Sequence, residues 1–190
     1  MKTHPLVKKI LFNQEEIDKR TSELATEIEN YYRQQNVKDN TVIIVGLLKG
    51  CVPFMANFIK HFNHECQTEY MVVSSYMGGT KTSGEPKINL DLNLSIKDKH
   101  VLIIEDIIDS GITLNYIKKY ISFKGAKEVK IVTLLDKKEG RVVAIKSDWV
   151  GFEIANEFVI GYGLDYDERL RNLPYIAVCD VEKIENWKWK

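Results

Sequence analysis

The stretch VLIIEDIIDSGIT, residues 101–113, ends an apolar run with three carboxylates and a glycine turn. Four aliphatic residues lead into Glu105 and Asp106, and two isoleucines separate these from Asp109. A continuous aliphatic run bounded by turn residues is typical of a strand that is covered on both faces. Polar residues that follow such a strand lie at the carboxyl edge of an open α/β sheet, where ligands bind. The stretch therefore predicts a buried strand with a binding site at its end.

Segments on both sides of this strand predict an α/β fold. The run TVIIVGLL at 41–48 is a second doubly covered strand, and Pro53 can occupy the first turn of the helix after it. Asn13 and Glu16 form a capping-box pattern at the start of an earlier helix. This alternation predicts a mostly parallel central sheet flanked by helices. The other predicted helices cover residues 14–35 and 113–124, and the other strands or extended segments cover 68–76, 129–135, 149–152, 158–160 and 175–178.

The composition is that of an ordinary globular protein. Its 190 residues are enough for one domain with a substantial core. The 27 basic and 27 acidic residues balance, so there is no electrostatic footprint for nucleic acid or an anionic membrane. The apolar runs are far shorter than the roughly 20 residues that a membrane span needs, and the N-terminal one is too short for a secretory signal. Three cysteines without paired spacing indicate a reducing compartment. We therefore expect a cytoplasmic protein.

The turn at residues 110–113 predicts an anion site. It leads into a helix, so successive backbone N–H groups point outward at a helix N-terminus, an arrangement suited to phosphate. Gly111 allows close approach of the backbone, and the hydroxyls of Ser110 and Thr113 add donors.

The carboxylates beside this cradle predict a sugar or a metal ion. Glu105 and Asp106 would repel a phosphate if they were left bare. They become useful if they accept hydrogen bonds from vicinal hydroxyls, complete a Mg²⁺ shell, or do both. Phosphate, diol and metal together describe a ribose 5-phosphate. The simpler alternative is a plain strand end, in which Asp109 caps the following helix. The chain has neither G-x-G-x-x-G nor G-x4-G-K-[ST], so dinucleotide and Walker-type sites are poorly supported.

The same stretch resembles the diphosphoribosyl-binding signature of type I phosphoribosyltransferases, in a form close to their hypoxanthine-guanine branch. Further stretches resemble that family in order and spacing, so the similarity covers about residues 40–178. It implies one domain over residues 1–190, with the core at about 40–178. It also implies a small hood built from terminal segments and a mobile lid loop. The further stretches are GLLKG (46–50), SSY (74–76), LLDKKEGR (134–141), VGFEIANEFVIGYGLDY (150–166) and LRNLPY (170–175).

The resemblance implies a reaction and its partners. The family transfers ribose 5-phosphate from 5-phospho-α-D-ribose 1-diphosphate to a purine nitrogen and releases diphosphate, with Mg²⁺ as cofactor. The hypoxanthine-guanine branch uses hypoxanthine and guanine in purine salvage and makes IMP and GMP. Substrate range can extend to xanthine or narrow to hypoxanthine. Small molecules are the implied partners, with no nucleic acid or membrane, and family precedent favours a homodimer or homotetramer.

The resemblance also assigns roles at the sugar and the metal. Glu105 and Asp106 would hold the ribose 2- and 3-hydroxyls with Mg²⁺ close by, and Asp165 would carry a second metal-linked role. Asp109 would exchange a proton with N7 of the purine, which is typically worth about 10²–10⁴ in rate. The 5-phosphate cradle would consist of Ile107, Ile108, Ser110, Gly111, Ile112 and Thr113.

Further roles concern diphosphate. Lys49 and Gly50 occupy the family's diphosphate loop, where a non-proline cis peptide is expected. From the sequence alone, a lysine at position 49 is more often just a solvated loop lysine. Arg171 would bind diphosphate through its guanidinium fork, and Arg141 is a candidate to assist it.

The remaining roles concern the base and the lid. Lys137 would donate to the purine 6-oxo group, which favours hypoxanthine or guanine over adenine. Phe158 would stack on the base, although taken alone it is more typical of core. Val159 would contact the base through its backbone, as would Asp165, whose carbonyl would accept the guanine 2-amino group. Ser75 and Tyr76 would open the lid, a loop at 77–87.

A binding protein is the alternative to an enzyme. The chain could be a regulator that keeps this fold and binds the sugar diphosphate as an effector. Asp109, Lys137 and Arg171 together argue against that alternative, because an effector site needs no proton acceptor at N7. The balanced charge also argues against a regulator that binds nucleic acid.

Overall fold

A six-stranded sheet forms the centre of the structure, a computed structural model that describes residues 3–75, 86–184 and 186–189. The strands lie in the order β4-β3-β2-β5-β6-β7, and every neighbouring pair is parallel except β3 and β4. The prediction of a mostly parallel sheet is therefore confirmed. The elements are β1 (Val7–Phe12), α1 (Gln14–Gln34), β2 (Val42–Leu48), α2 (Val52–His61), β3 (Cys66–Ser75), β4 (Pro86–Leu90), β5 (His100–Ile108), α3 (Ile112–Phe123), β6 (Glu128–Asp136), a 3-10 turn (Lys138–Gly140), β7 (Trp149–Glu153), β8 (Val159–Ile160), β9 (Ile176–Cys179) and α4 (Val181–Ile184).

Helices cover both faces of the sheet, as the continuous apolar strands predict. Successive side chains of a strand point to opposite faces. In β2, Ile44 therefore packs with Phe54 and Phe58 of α2. Its neighbours Ile43 and Val45 pack on the other face, where α3 contributes Leu114, Ile117 and Ile121.

Strand β5 is longer than the sequence suggests. The polar pair at 105–106 marks the predicted end of the strand, but pairing with β6 continues through Ile107 with Leu135 and Ile108 with Asp136. Ile107 and Ile108 continue the strand because their β-branched side chains fit the pleated surface, as do Ile103 and Ile104 before the carboxylates. The turn that leaves the sheet therefore begins at Asp109, and Glu105 and Asp106 lie near the end of the paired strand.

A second sheet supplies the predicted hood. Its order is β1-β9-β8, and both pairings are antiparallel. The sequence predicted extended structure near β8 and β9 but no strand at β1, whose VKKILF has only a partial alternation of apolar residues. Trp187 and Trp189 pack on this part of the same chain, where Trp189 stacks on Arg169 at 4.5 Å.

The predicted lid loop at 77–87 is only partly described. Pro86 and Lys87 belong to β4, which pairs antiparallel with β3, so the loop ends earlier than predicted. Tyr76 and the rest of the loop lie outside the described residues, while Ser75 is the last residue of β3. No helix within the described ranges has both the length and the apolar character to cross a membrane.

The capping box at the start of α1 is present as predicted and yields a stability test. Glu16 N–H donates to Asn13 Oδ1 at 2.9 Å, and Asn13 N–H donates to Glu16 Oε2 at 2.8 Å. Asn13→Ala is expected to lower the free energy of unfolding by about 1 kcal/mol, or roughly 2–4 °C in Tm. Thermal unfolding checks this, with Asn156→Ala at an exposed position outside any helix as control. Equal Tm values for the two variants would contradict a stabilising role for the capping box.

Candidate active site

The carboxyl pair of β5 lies against the loop that follows β2. A Cβ atom added to Gly50 would lie 1.6 Å from Oδ2 of Asp106, so the Gly50 backbone is in direct contact with that carboxyl. Only glycine permits this approach, which brings the predicted diphosphate loop to the end of β5. The predicted non-proline cis peptide is also present in this loop and joins Leu48 to Lys49.

Burial dominates the electrostatics of this carboxyl pair. It raises the pKa of Glu105 well above its usual range, and the charge of Asp106 raises it further. Burial also raises the pKa of Asp106 to about 6, despite the hydrogen bond that Ile107 N–H donates to Oδ1 at 2.8 Å. Both residues keep some exposed surface, yet Glu105 Oε2 is buried and has no hydrogen-bond partner among the residues described. A buried polar atom without a hydrogen-bond partner costs free energy. Glu105 Oε2 is therefore available to a ligand hydroxyl or a cation.

The start of α3 has the geometry that the sequence predicts for an anion site. Gly111 is the N-cap, with a left-handed φ of 79°, and no side chain caps the helix. Asp109 is thus not a helix cap, which removes the simpler alternative for this stretch. The first N–H groups of a helix lack intrahelical partners, and here they border a cavity of about 140 Å³. Its lining comprises Glu105, Ile107, Ile108, Asp109, Ser110, Gly111, Thr113 and Leu114.

Five of the six residues predicted to cradle a phosphate border this cavity. Ile107 and Ile108 do so as the last residues of β5 rather than as part of the turn. Ile112 begins α3, and its N–H donates to Ser110 Oγ at 3.4 Å, which is a long hydrogen bond.

Asp109 and Lys137 form an ion pair at the ends of adjacent strands. Lys137 Nζ lies 3.1 Å from Asp109 Oδ2, and the lysine side chain is 11% exposed while the aspartate side chain is 50% exposed. The pairing follows from the topology, because Lys137 directly follows β6 and its N–H donates to Ile108 O at 3.0 Å. A buried ammonium beside an open carboxylate presents both a donor and a proton acceptor to one ligand.

The guanidinium of Arg141, a candidate for the diphosphate site, is engaged by groups of the protein itself. Its guanidinium donates to the carbonyls of Asp109 at 2.9 Å and Ile145 at 2.6 Å, and it pairs with the Asp136 carboxylate. A guanidinium group carries five N–H donors and can therefore make all of these contacts at once. Arg141 therefore ties the end of β5 to the end of β6.

A loop between β8 and β9 gathers charged groups beside the Gly50 contact. Arg171 pairs with Asp165 at 2.9 Å and with Glu168 at 3.0 Å. Glu168 also pairs with Lys49 Nζ at 2.6 Å, and the lysine side chain stays 67% exposed. Glu168 is not among the residues predicted from the sequence, where its i, i+3 spacing to Arg171 is the one local signal.

Phe158 and Val159 lie on the hood sheet. Phe158 is 44% exposed, so the interpretation of this residue as core is wrong, whereas Val159 is buried in β8. Phe158 meets Tyr166 edge to face, with ring centroids 6.1 Å apart. An exposed aromatic face is available to stack on a planar ligand.

The carboxylates fit a Mg²⁺ ion that is shared with a substrate. Within the described ranges, no three His, Cys, Asp or Glu side chains converge closely enough to hold a metal by themselves. Mg²⁺ in substrate complexes is typically held by one or two carboxylates, waters and phosphate oxygens. The Glu105–Asp106 pair matches that donor set, and the charges of Arg171 and Asp165 act on Asp106.

Comparisons with known proteins agree on one family. The model of the phosphoribosyl transferase domain matches residues 9–167. The hypoxanthine-guanine phosphoribosyltransferase of Lactococcus lactis is 49% identical, with 93% of each chain covered.

Solved structures extend this likeness to the fold. The hypoxanthine phosphoribosyltransferase of Staphylococcus aureus superposes with a TM-score of 0.87 at 40% identity, over 95% of each chain. A lysine variant of the Trypanosoma cruzi enzyme, complexed with the product IMP, superposes with a TM-score of 0.92 at 36% identity, over 100% of each chain.

Proposed function

Because this chain belongs to the phosphoribosyl transferase family, we propose that it is a purine salvage enzyme of the hypoxanthine-guanine type. It transfers ribose 5-phosphate from 5-phospho-α-D-ribose 1-diphosphate to hypoxanthine and guanine, and yields IMP or GMP with diphosphate. One observation carries the proposal. The Asp109–Lys137 pair, which suits a 6-oxopurine, lies at the same strand ends as the carboxyl pair and the uncapped start of α3.

The sugar binds at the end of β5. The 140 Å³ cavity receives the 5-phosphate, where the N–H groups at the start of α3 favour an anion. Glu105 and Asp106 accept hydrogen bonds from the ribose 2- and 3-hydroxyls, which gives the orphaned Glu105 Oε2 a partner. Glu105 and Asp106 would also hold a Mg²⁺ ion, which would offset the negative charge of the diphosphate. Lys49, Gly50 and Arg171 hold the diphosphate, and Asp165 contributes to the metal shell.

The base binds between the hood and the end of β6. Lys137 donates to the 6-oxo group, Phe158 stacks on the ring, and Val159 contacts it through the backbone. Asp109 holds or accepts the proton at N7 while the bond to the sugar forms. The Asp165 carbonyl accepts the 2-amino group of guanine.

The activity assay is the direct test. The protein is incubated with the sugar diphosphate, Mg²⁺ and hypoxanthine, guanine, xanthine or adenine, and nucleotide formation is followed. IMP and GMP are the expected products, with adenine unreactive. Binding of the sugar diphosphate without formation of any nucleotide would contradict the proposal and favour an effector-binding regulator. The relatives described above are transferases, so nothing favours that regulator.

Lys137→Met tests how the base is recognised. Loss of a charged hydrogen bond is typically worth about 1.5–3 kcal/mol, so we expect the KM for hypoxanthine to rise about 10–100-fold. The KM for the sugar diphosphate is expected to change far less. Steady-state kinetics with each substrate varied in turn measure both. Lys138→Met is the control, because Lys138 is exposed and pairs with Glu153 instead. An unchanged KM for hypoxanthine would exclude Lys137 from base recognition.

The proposal extends to assembly and closure. Ser75 and Tyr76 begin a lid that shields the cationic sugar from water, because an open ribosyl cation would be hydrolysed. The protein works in the cytoplasm as a homodimer or homotetramer. Light scattering coupled to gel filtration tests the assembly, and elution as a monomer at all concentrations would contradict it.

A further inference from the structure

Glu168 occupies both cationic groups of the proposed diphosphate site. Its Oε2 lies 2.6 Å from Lys49 Nζ, and its Oε1 lies 3.0 Å from an Arg171 Nη atom. Each carboxylate oxygen therefore engages one cation. These two contacts hold the pKa of Glu168 below its usual range, with the Lys49 contact as the larger cause.

The surrounding contacts hold Arg171 and Glu168 in the same loop. Arg171 donates to Gly163 O at 2.7 Å and pairs with Asp165 at 2.9 Å. Glu168 N–H donates to Asp165 Oδ2 at 2.9 Å. Arg171 is thus fixed by Gly163 and Asp165, while Lys49, whose side chain is 67% exposed, is fixed by Glu168 alone among the contacts described.

We propose that Glu168 is an internal competitor of diphosphate, which it replaces on Lys49 and Arg171 when the site is empty. The inference rests on the proposed function, since it takes these two cations as the diphosphate contacts. A carboxylate and a phosphoryl group both present anionic oxygens to a guanidinium or an ammonium. Diphosphate must therefore break the two ion pairs of Glu168 in order to bind. Glu168 forms them again when diphosphate leaves.

The charges around the site determine how Glu168 affects the binding of diphosphate. Arg171 pairs with Asp165 and Glu168 and its charge acts on Asp106, while Lys49 pairs with Glu168. Once displaced, Glu168 stays near the bound anion and repels it. Glu168 thereby weakens the binding of free diphosphate and promotes its release, while the sugar diphosphate is held additionally through its ribose and 5-phosphate.

Glu168→Gln tests the competition directly. Exposed ion pairs contribute little each, so we expect the Kd for diphosphate with Mg²⁺ to fall about 3–10-fold when both are removed. Titration calorimetry measures that Kd. Product inhibition by diphosphate is expected to strengthen by the same factor, while the KM for hypoxanthine stays unchanged. Glu168→Ala serves as a second variant. The side-chain oxygen of glutamine can still accept hydrogen bonds from Lys49 and Arg171, and alanine removes these as well.

Asp167→Asn is the matched control. It removes the same charge from the adjacent position, but Asp167 pairs with Arg169 at 2.8 Å and not with the diphosphate cations. A tighter Kd in the Glu168 variants alone supports the inference. Equal tightening in the Asp167 variant, or an unchanged Kd in both Glu168 variants, would overturn it. Failure of the wild-type protein to form any nucleotide would overturn the proposed function instead, whatever these Kd values are.

Discussion

Asp109→Asn is expected to fold normally and to lose at least a hundredfold in kcat. Asparagine keeps the size of the side chain but cannot accept the N7 proton, and such proton transfer typically contributes about 10²–10⁴ in rate. The Asp109 side chain is half exposed and caps no helix, and asparagine keeps an oxygen that can accept from Lys137 Nζ, so the fold stays in place. Steady-state kinetics measure kcat, and thermal unfolding measures stability.

The pattern of the kinetic constants separates catalysis from binding in this variant. The KM for the sugar diphosphate is expected to change little, because the role proposed for Asp109 is at the base. Asp180→Asn is a suitable control, since Asp180 lies by the hood and pairs with Lys183. An unimpaired kcat in the Asp109 variant would remove this residue from the mechanism.

Asp106→Asn is expected to stabilise the free protein and to weaken its binding of the sugar diphosphate. Burial raises the pKa of Asp106 from 3.8 to about 6, so the fold disfavours its charged form. Neutral asparagine removes that cost and keeps an oxygen for the Ile107 N–H. We expect Tm at pH 8 to rise by at least about 2–4 °C, the shift that 1 kcal/mol produces in a chain of this size.

The pH dependence follows from the direction of the shift. An acid whose folded pKa is raised binds more protons in the folded state, so its contribution to stability falls as pH rises from 3.8 to about 6. The Tm advantage of the Asp106 variant is therefore expected to be full above about pH 6 and to vanish below the unfolded pKa. Thermal unfolding without Mg²⁺ at pH 4, 6 and 8 measures it.

The same substitution removes a charged acceptor from the proposed sugar site. Hydrogen bonds to charged groups are worth about 1.5–3 kcal/mol, so the KM for the sugar diphosphate should rise about 10–100-fold. Glu182→Gln, on exposed α4, is a neutral control for both measurements. A variant that is less stable at pH 8, or that binds the sugar diphosphate normally, would contradict this account of the carboxyl pair.

Local patterns predicted most elements of the central sheet. The aliphatic runs of β2 and β5, the capping box of α1 and the glycine before α3 involve residues within a few positions of each other. Hydrogen-bond geometry and side-chain periodicity act over that range, so they can be inferred without the fold. Strand β1 was missed, because its place depends on pairing with β9 at the far end of the chain.

The sequence by itself determined the chemistry at the end of β5. There, acidic side chains, a glycine turn and a helix start are contiguous in VLIIEDIIDSGIT. Only the tertiary structure decided which side chains from other parts of the chain contact this site. Lys137 reaches Asp109 across 28 residues, and Glu168 reaches Lys49 across 119. The physical reason is that ion pairing and desolvation depend on distance and burial in space, which chain neighbours do not specify.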